Sequence, residues 1–139
     1  MEHITCYTRG ISKGNPGPAA VGAVLVDANG SVLKEISETI GNAGTEYAEY
    51  FAVVRGLQTL VEHFGDETKN IAVALRLSDE SVKKQLNSEE IVINPGLISL
   101  FMMIHNMYVE SSFNITVTYV SATENAVTDE FLDILLDAQ

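Results

Sequence analysis

The segment Tyr7-Thr8-Arg9-Gly10-Ile11-Ser12-Lys13-Gly14-Asn15-Pro16-Gly17-Pro18-Ala19 decides how the rest of the chain is read. Ile4 to Thr8 is rich in β-branched residues and reads as a strand. Gly10 to Pro18 carries three Gly and two Pro and reads as a turn-rich loop. In open α/β sheets, ligands gather outside the carboxyl ends of strands that run into such loops. Residue 9 sits at that boundary, and it is an arginine, a side chain that offers donors only and keeps its charge in a protein.

Working outward, Ala20 to Val26 and Val32 to Ile40 flank Ala28-Asn29-Gly30, a strong hairpin signal. Gly41 to Gly44 is the next break. Thr45 to Phe64 reads as a helix, with Val53, Gly56, Leu60 and Phe64 on one stripe and Val54, Leu57 and Val61 beside it. Glu49 lies on that stripe. A carboxylate heading a buried face needs a partner; the plain alternative is a solvated first-turn glutamate that favours the helix dipole. Gly65 to Lys69 is a turn, and Ile71 to Leu77 is an apolar run, broken by Arg76, that reads as a buried strand. Asp79 follows at its carboxyl end, before a short helix over Ser81 to Leu86, where Ser78 or Asp79 could equally serve as an N-cap. Pro95 to Ser111 reads as a helix with Leu97, Leu100, Phe101, Ile104 and Tyr108 inward. Phe113 to Val120 alternates as a half-buried strand, and Thr128 to Leu136 closes the chain as a helix capped by Thr128.

Three strands in succession, then helix, strand, helices, strand and helix describe a mixed α/β layer fold. The first and fourth strands are expected to be parallel neighbours joined by a crossover that includes the long helix. That places Arg9 and Asp79 at one sheet edge. The pattern alone does not decide whether Glu49 and Asp129 reach it.

The bulk properties set limits. The 139 residues, without repeat, low-complexity run or linker, are expected to form a single domain over 1–139. Eight Lys plus Arg against nineteen Asp plus Glu give a net charge of −11, and Lys83-Lys84 is the local basic pair. Nucleic-acid binding usually draws on clustered basic residues, so the balance argues against a polyanion partner. With 46 % hydrophobic residues but no run of 18 apolar ones, no membrane partner is expected. The start lacks the pattern of a signal peptide, which suggests a cytoplasmic protein. The lone Cys6 excludes an intrachain disulfide and reads as a buried, reduced thiol.

Four separated motifs carry a resemblance to type 1 ribonuclease H that covers nearly the whole chain. Tyr7 to Ala19 is similar to that family's Asp-Gly-x-x-x-Gly-Asn-Pro-Gly loop, apart from Arg9. Ala48-Glu49-Tyr50-Phe51-Ala52 with Gly56-Leu57 resembles the helix whose Glu ligates metal, and Leu77-Ser78-Asp79 a strand ending in a further acidic ligand. Val120 to Asp129, with Asn125 inside, resembles the segment that carries the last acid. The resemblance implies an RNase H-like mixed five-stranded sheet, three antiparallel strands and then two parallel additions, flanked by helices. It implies Glu49, Asp79 and Asp129 as catalytic carboxylates and ligands of Mg²⁺ or Mn²⁺. Gly10 and Asn15 would stand on the substrate side, with an RNA–DNA hybrid as substrate.

The departures from the family pattern are specific. Arg9 replaces the acid that bridges both metals, and Ala122 takes the place of an Arg. Thr45-Glu46 stands where an Asn pair commonly grips the DNA strand. The helix after Asp79 is one residue shorter than usual up to Gln85-Leu86, His105 does not match the product-release His of some members, and the basic extension is missing. Two dications about 4 Å apart stabilise the in-line displacement in such sites, and hard dications need carboxylate oxygens. At about 4 Å a unit charge costs on the order of 4 kcal/mol against each like charge at an effective dielectric near 20, and a dication doubles that. The expectation is therefore a metal cage converted into a salt-bridge cluster of Arg9 with Glu49, Asp79 and Asp129. Hydrolysis would be lost or strongly impaired, leaving a binding module for weakly held RNA–DNA hybrid or RNA, for a protein partner, or for a second copy as homodimer. Any remaining activity would use Mg²⁺ or Mn²⁺; otherwise no cofactor is expected. The alternatives are a working metal-dependent endoribonuclease on hybrids, with Glu124 or Glu46 replacing the missing acid, and an unrelated α/β domain.

Overall fold

Strand β1 (Glu2–Ser12) forms the centre of a five-stranded sheet of order β3-β2-β1-β4-β5 in a computed structural model that describes residues 1–138. Strands β2 (Gly17–Val26) and β3 (Val32–Ala43) add antiparallel to one side of β1. Strands β4 (Ile71–Leu77) and β5 (Asn114–Tyr119) add parallel to the other. The expected mixed sheet, three antiparallel strands and two parallel additions flanked by helices, is the architecture of the chain. Helix α1 (Thr45–Phe64) is followed by a 3₁₀ turn (Gly65–Asn70), and helices α2 (Glu80–Leu86), α3 (Pro95–Ser111) and α4 (Asp129–Asp137) complete it. Among the described residues no helix is long and apolar enough to cross a membrane.

The period-2 burial of β1 distributes its side chains between two cores. Ile4, Cys6 and Thr8 point at α1, and the fully buried Leu57 and Leu60 answer from the helix. Tyr7 and Ile11 point the other way and pack with Val24, Leu132 and Leu136 under α4. Burial holds the free Cys6 thiol protonated, its pKa pushed up to about 12.

Three boundaries differ from the sequence reading. The Gly- and Pro-rich stretch over 10–18 is mostly strand: β1 continues to Ser12 and β2 begins at Gly17, leaving a short connection that contains a cis Asn15–Pro16 bond. Gly10 serves close approach instead of turning, since a Cβ there would lie 2.3 Å from the Ala48 carbonyl. The Asn29-Gly30 hairpin uses a wider loop, in which the Asp27 carboxylate accepts the Asn29 and Ser31 N–H groups at 2.9 Å and Gly30 takes φ 83°. Gly41 does not end β3. It takes φ 78° beside a bulge between the Ala19–Gly41 and Ala20–Thr39 pairs, and the strand runs on to Ala43.

Candidate active-site cleft

Parallel pairing of β1 and β4 fixes the first two members of the site. Thr8 stands opposite Leu77, the last residue of β4, so Arg9 lies level with the Ser78-Asp79 step at the carboxyl end of β4, while β1 itself runs on against β2. Arg9 falls on the α4 face of β1, and Thr128 caps α4 there by accepting the Phe131 N–H at 3.1 Å, which presents Asp129 in the first turn. Arg9 Nε donates to Asp129 Oδ1 at 2.6 Å and Nη2 to Oδ2 at 3.0 Å, a two-point guanidinium–carboxylate pair. Nη1 donates to the Ser78 carbonyl at 3.2 Å.

Glu49 reaches the same edge from α1. It is 2 % exposed, which removes the alternative of a solvated first-turn carboxylate. Its Oε1 accepts the Gly10 N–H at 3.0 Å and lies 4.0 Å from Arg9 Nε. Its Oε2 is buried without a hydrogen-bond partner among the described residues. Burial pushes the Glu49 pKa up to about 8, against the opposing pull of the Gly10 N–H and of Arg9. Burial outweighs the pull of a guanidinium 4.0 Å away, so Glu49 holds its proton more tightly than an ordinary carboxyl and is a weaker partner of Arg9 than Asp129 is. For Arg9, burial works against the charge, but the Asp129 hydrogen bond and the Glu49, Asp129 and Asp79 charges outweigh it and raise the pKa.

Asp79 is placed differently. Its Oδ1 accepts the Val82 N–H at 3.0 Å and caps α2, the N-cap role that the sequence left open, and no ion pair joins it to Arg9. Its carboxylate acts on the cluster through its charge alone. The expected four-residue salt bridge is thus one tight pair, Arg9 with Asp129, beside a buried Glu49 and a capping Asp79.

The residues expected on the substrate side are largely engaged within the protein. The Gly10 N–H is held by Glu49. Asn15 Oδ1 accepts the Thr45 N–H at 3.2 Å, at the head of α1. Asn15, Thr45, Glu46, Asp79 and Asn94 line a cleft of about 410 Å³ that opens beside the cluster. Glu124 turns away and accepts from Ser121 Oγ at 2.8 Å. His105 is an exposed residue of α3. Sequence reasoning gave Asn125 no role of its own, yet it ties the site together. Buried to 4 %, it donates to the Thr8 carbonyl at 3.0 Å and to Ser78 Oγ at 3.1 Å, and accepts the Val127 N–H at 2.9 Å. Its advance signal is its place inside the Val120 to Asp129 segment.

The two divalent cations that the resemblance implies do not fit these residues. A guanidinium stands between the Asp129 and Glu49 carboxyls, 2.6 Å from one and 4.0 Å from the other, where metal would need free oxygen ligands. Among the described residues no three His, Cys, Asp or Glu side chains are grouped to hold a metal ion.

Comparison with known proteins bears on this geometry. The family model described as reverse transcriptase-like matches residues 8–132. Ribonuclease HI of Halobacterium salinarum is 37 % identical over 94 residues, which are 68 % of this chain and 45 % of that protein. A bifunctional protein of Mycobacterium tuberculosis is 31 % identical over 131 residues, 93 % of this chain and 34 % of its own length. The chain thus spans less than half the length of these curated relatives. Among solved structures, LC11-RNase H1 in complex with an RNA/DNA hybrid superposes with a TM-score of 0.90 at 33 % identity, covering 97 % of each chain. The Halobacterium salinarum RNase H1 structure superposes at 0.86 with 31 % identity, covering 99 % of each chain.

Proposed function

The chain belongs to the reverse transcriptase-like family, among its RNase H1-like members, and from that premise we propose a binding module whose hydrolytic site has been neutralised by Arg9. The observation that carries the reading is the two-point Arg9–Asp129 pair at the carboxyl end of β4, with a raised-pKa Glu49 behind it. In this reading Glu49, Asp79 and Asp129 are remnants of a metal-binding set, and Arg9 stands where that set needs an acid. A fixed cation supplies charge to the cleft but cannot activate water or exchange ligands. The module's ligands would be a weakly held RNA–DNA hybrid or RNA, or a protein, and no Mg²⁺ or Mn²⁺ would be required for folding.

A second reading, a working metal-dependent endoribonuclease on RNA–DNA hybrids, is favoured by the near-complete superposition on a relative solved with such a hybrid. It would need Glu46, which lines the cleft with Asp79, as a replacement ligand.

The test is cleavage of a labelled hybrid in Mn²⁺, with thermal unfolding as a parallel readout, on the parent chain and R9D. The parent should not cleave and its melting temperature should not respond to Mn²⁺. R9D should gain a clear metal-dependent rise in melting temperature by mass action. Cleavage by the parent, or an equal metal response in both proteins, would show that Arg9 does not block the site.

A further inference from the structure

The sheet face turned away from α1 is covered over only part of its width. Helix α4 packs there on β1, β2 and β3, while the β4 and β5 side chains of that face stay half-buried or exposed. Ala72 and Ala74 form the floor of a trough of about 380 Å³, with Asn114 and Thr116 on one rim, Thr5 on the other and Arg76 at one end. Among the described residues no carboxylate lines it, in a chain with nineteen Asp and Glu residues.

Arg76 is the charged break in the apolar run of β4, and the cleft does not use it. Among the described residues it has no carboxylate within ion-pair distance, whereas Arg9, Lys13, Arg55 and Lys83 each have one. Its guanidinium lies over the Tyr7 ring, 5.8 Å from the centroid, and Nη1 donates to the Tyr7 hydroxyl at 3.2 Å. That contact orients the guanidinium, and among the described residues no acceptor takes the N–H groups of Nε and Nη2.

We propose that this trough binds a nucleoside monophosphate, with the phosphate on Arg76 and the base toward Asn114. An oriented guanidinium with free donors grips an oxyanion at two points. Arg9, one row further along β1, is already held by Asp129 and is not free to share that contact. Asn114 pairs with Ala72, four residues before Arg76, so the two ends lie ~13 Å apart along the strands. That is the reach of a mononucleotide from phosphate to base edge. The alanines leave room for the ring and sugar, and the volume falls within the range of small-ligand sites. The Asn114 amide donates to Met1 Sδ at 3.3 Å, which leaves its oxygen for the base. Charge limits the size of the ligand. The trough supplies one fixed cation, and every further phosphate of a polynucleotide would meet a chain of net charge −11.

The test is a titration of the isotope-labelled full chain with adenosine and uridine monophosphate, followed by amide chemical shifts, on the parent, R76Q, A74L and K84Q. The parent should show saturable shifts over 3–7, 72–76 and 114–118, the three strand segments that share the face. R76Q should weaken binding by about tenfold or more, as expected for a lost charge-assisted contact. A74L keeps the guanidinium and fills the floor, so it should weaken binding too and tests the site even where R76Q is less stable. K84Q removes a cation on α2 and should bind as the parent does. Inorganic phosphate and the free nucleosides should each bind more weakly than the monophosphates. Absence of saturable shifts on these strands at millimolar ligand, or shifts centred on Asn15 and Thr45 in the cleft, overturns the proposal. Unchanged affinity in R76Q and A74L does so as well. Inorganic phosphate binding as tightly as the monophosphates reduces the site to an oxyanion contact and refutes a nucleotide ligand. A short single-stranded oligonucleotide that binds far more tightly than either monophosphate refutes the size limit.

Discussion

A guanidinium that donates from Nε and Nη2 to both oxygens of one carboxylate has its plane fixed by that pair, and at Arg9 the partner is Asp129. Asp129 is about half exposed, so solvent screens much of the attraction. We expect R9A to cost about 1–2 kcal/mol in urea unfolding, the sum of a screened ion pair and the lost bond to the Ser78 carbonyl. A loss within experimental error would mean that Arg9 is a passenger in the cleft. Glu49 makes the opposite kind of contribution. Its folded-state pKa of about 8 lies above the ordinary 4.5, so the folded state holds the proton more tightly than the unfolded chain. The associated stability is fully present below pH 4.5 and is lost as pH rises through about 8. E49Q keeps an acceptor for the Gly10 N–H and removes the titration. Its melting temperature should match the parent's trend in acid and fall less between pH 5 and 9. Parallel curves across that range would show that Glu49 ionises in the folded state like an ordinary carboxylate.

The short helices at the sheet edge explain why acids that belong to one sequence pattern take different parts. Asp79 is the last residue before α2 and meets a free N–H at Val82 before any other donor, so capping claims its oxygen. Asp129 is the first residue inside α4, where Thr128 already caps, and so its carboxylate remains available to Arg9. Capping needs an acceptor but no charge. D79N should therefore leave stability nearly unchanged, and D79A should lose about 1 kcal/mol. Equal losses from both would assign Asp79 an electrostatic duty in the cluster that outweighs its cap.

Across the whole molecule the acidic surface opposes the ligand that the fold's relatives accommodate. A chain of net charge −11 has few cations with which to release phosphate counterions, and Glu46 faces the cleft beside Asn15 and Asp79. Binding of an RNA–DNA hybrid should be weaker than micromolar at ~0.15 M salt, with a shallow dependence on salt concentration. A fluorescence-anisotropy titration reads both quantities. Submicromolar affinity with a steep salt slope would show a basic track that the charge balance conceals.

The sequence by itself determined the elements and their order. Apolar spacing placed α1 at Thr45–Phe64, α3 at Pro95–Ser111 and β4 at Ile71–Leu77, because 3.6- and 2-residue periods and local caps are written in neighbouring residues. It also placed Arg9 and Asp79 at one sheet edge, since parallel β1 and β4 follow from the crossover. Only the tertiary structure decided who partners whom. Arg9 and Asp129 are 120 positions apart, Gly10 and Glu49 are 39, and Asn125 reaches back 117 positions to Thr8. Such contacts are chosen by packing distance and competition among donors, which no local pattern encodes. The raised pKa of Glu49 was equally hidden, because a carboxyl's pKa is set by burial under the assembled sheet and helix.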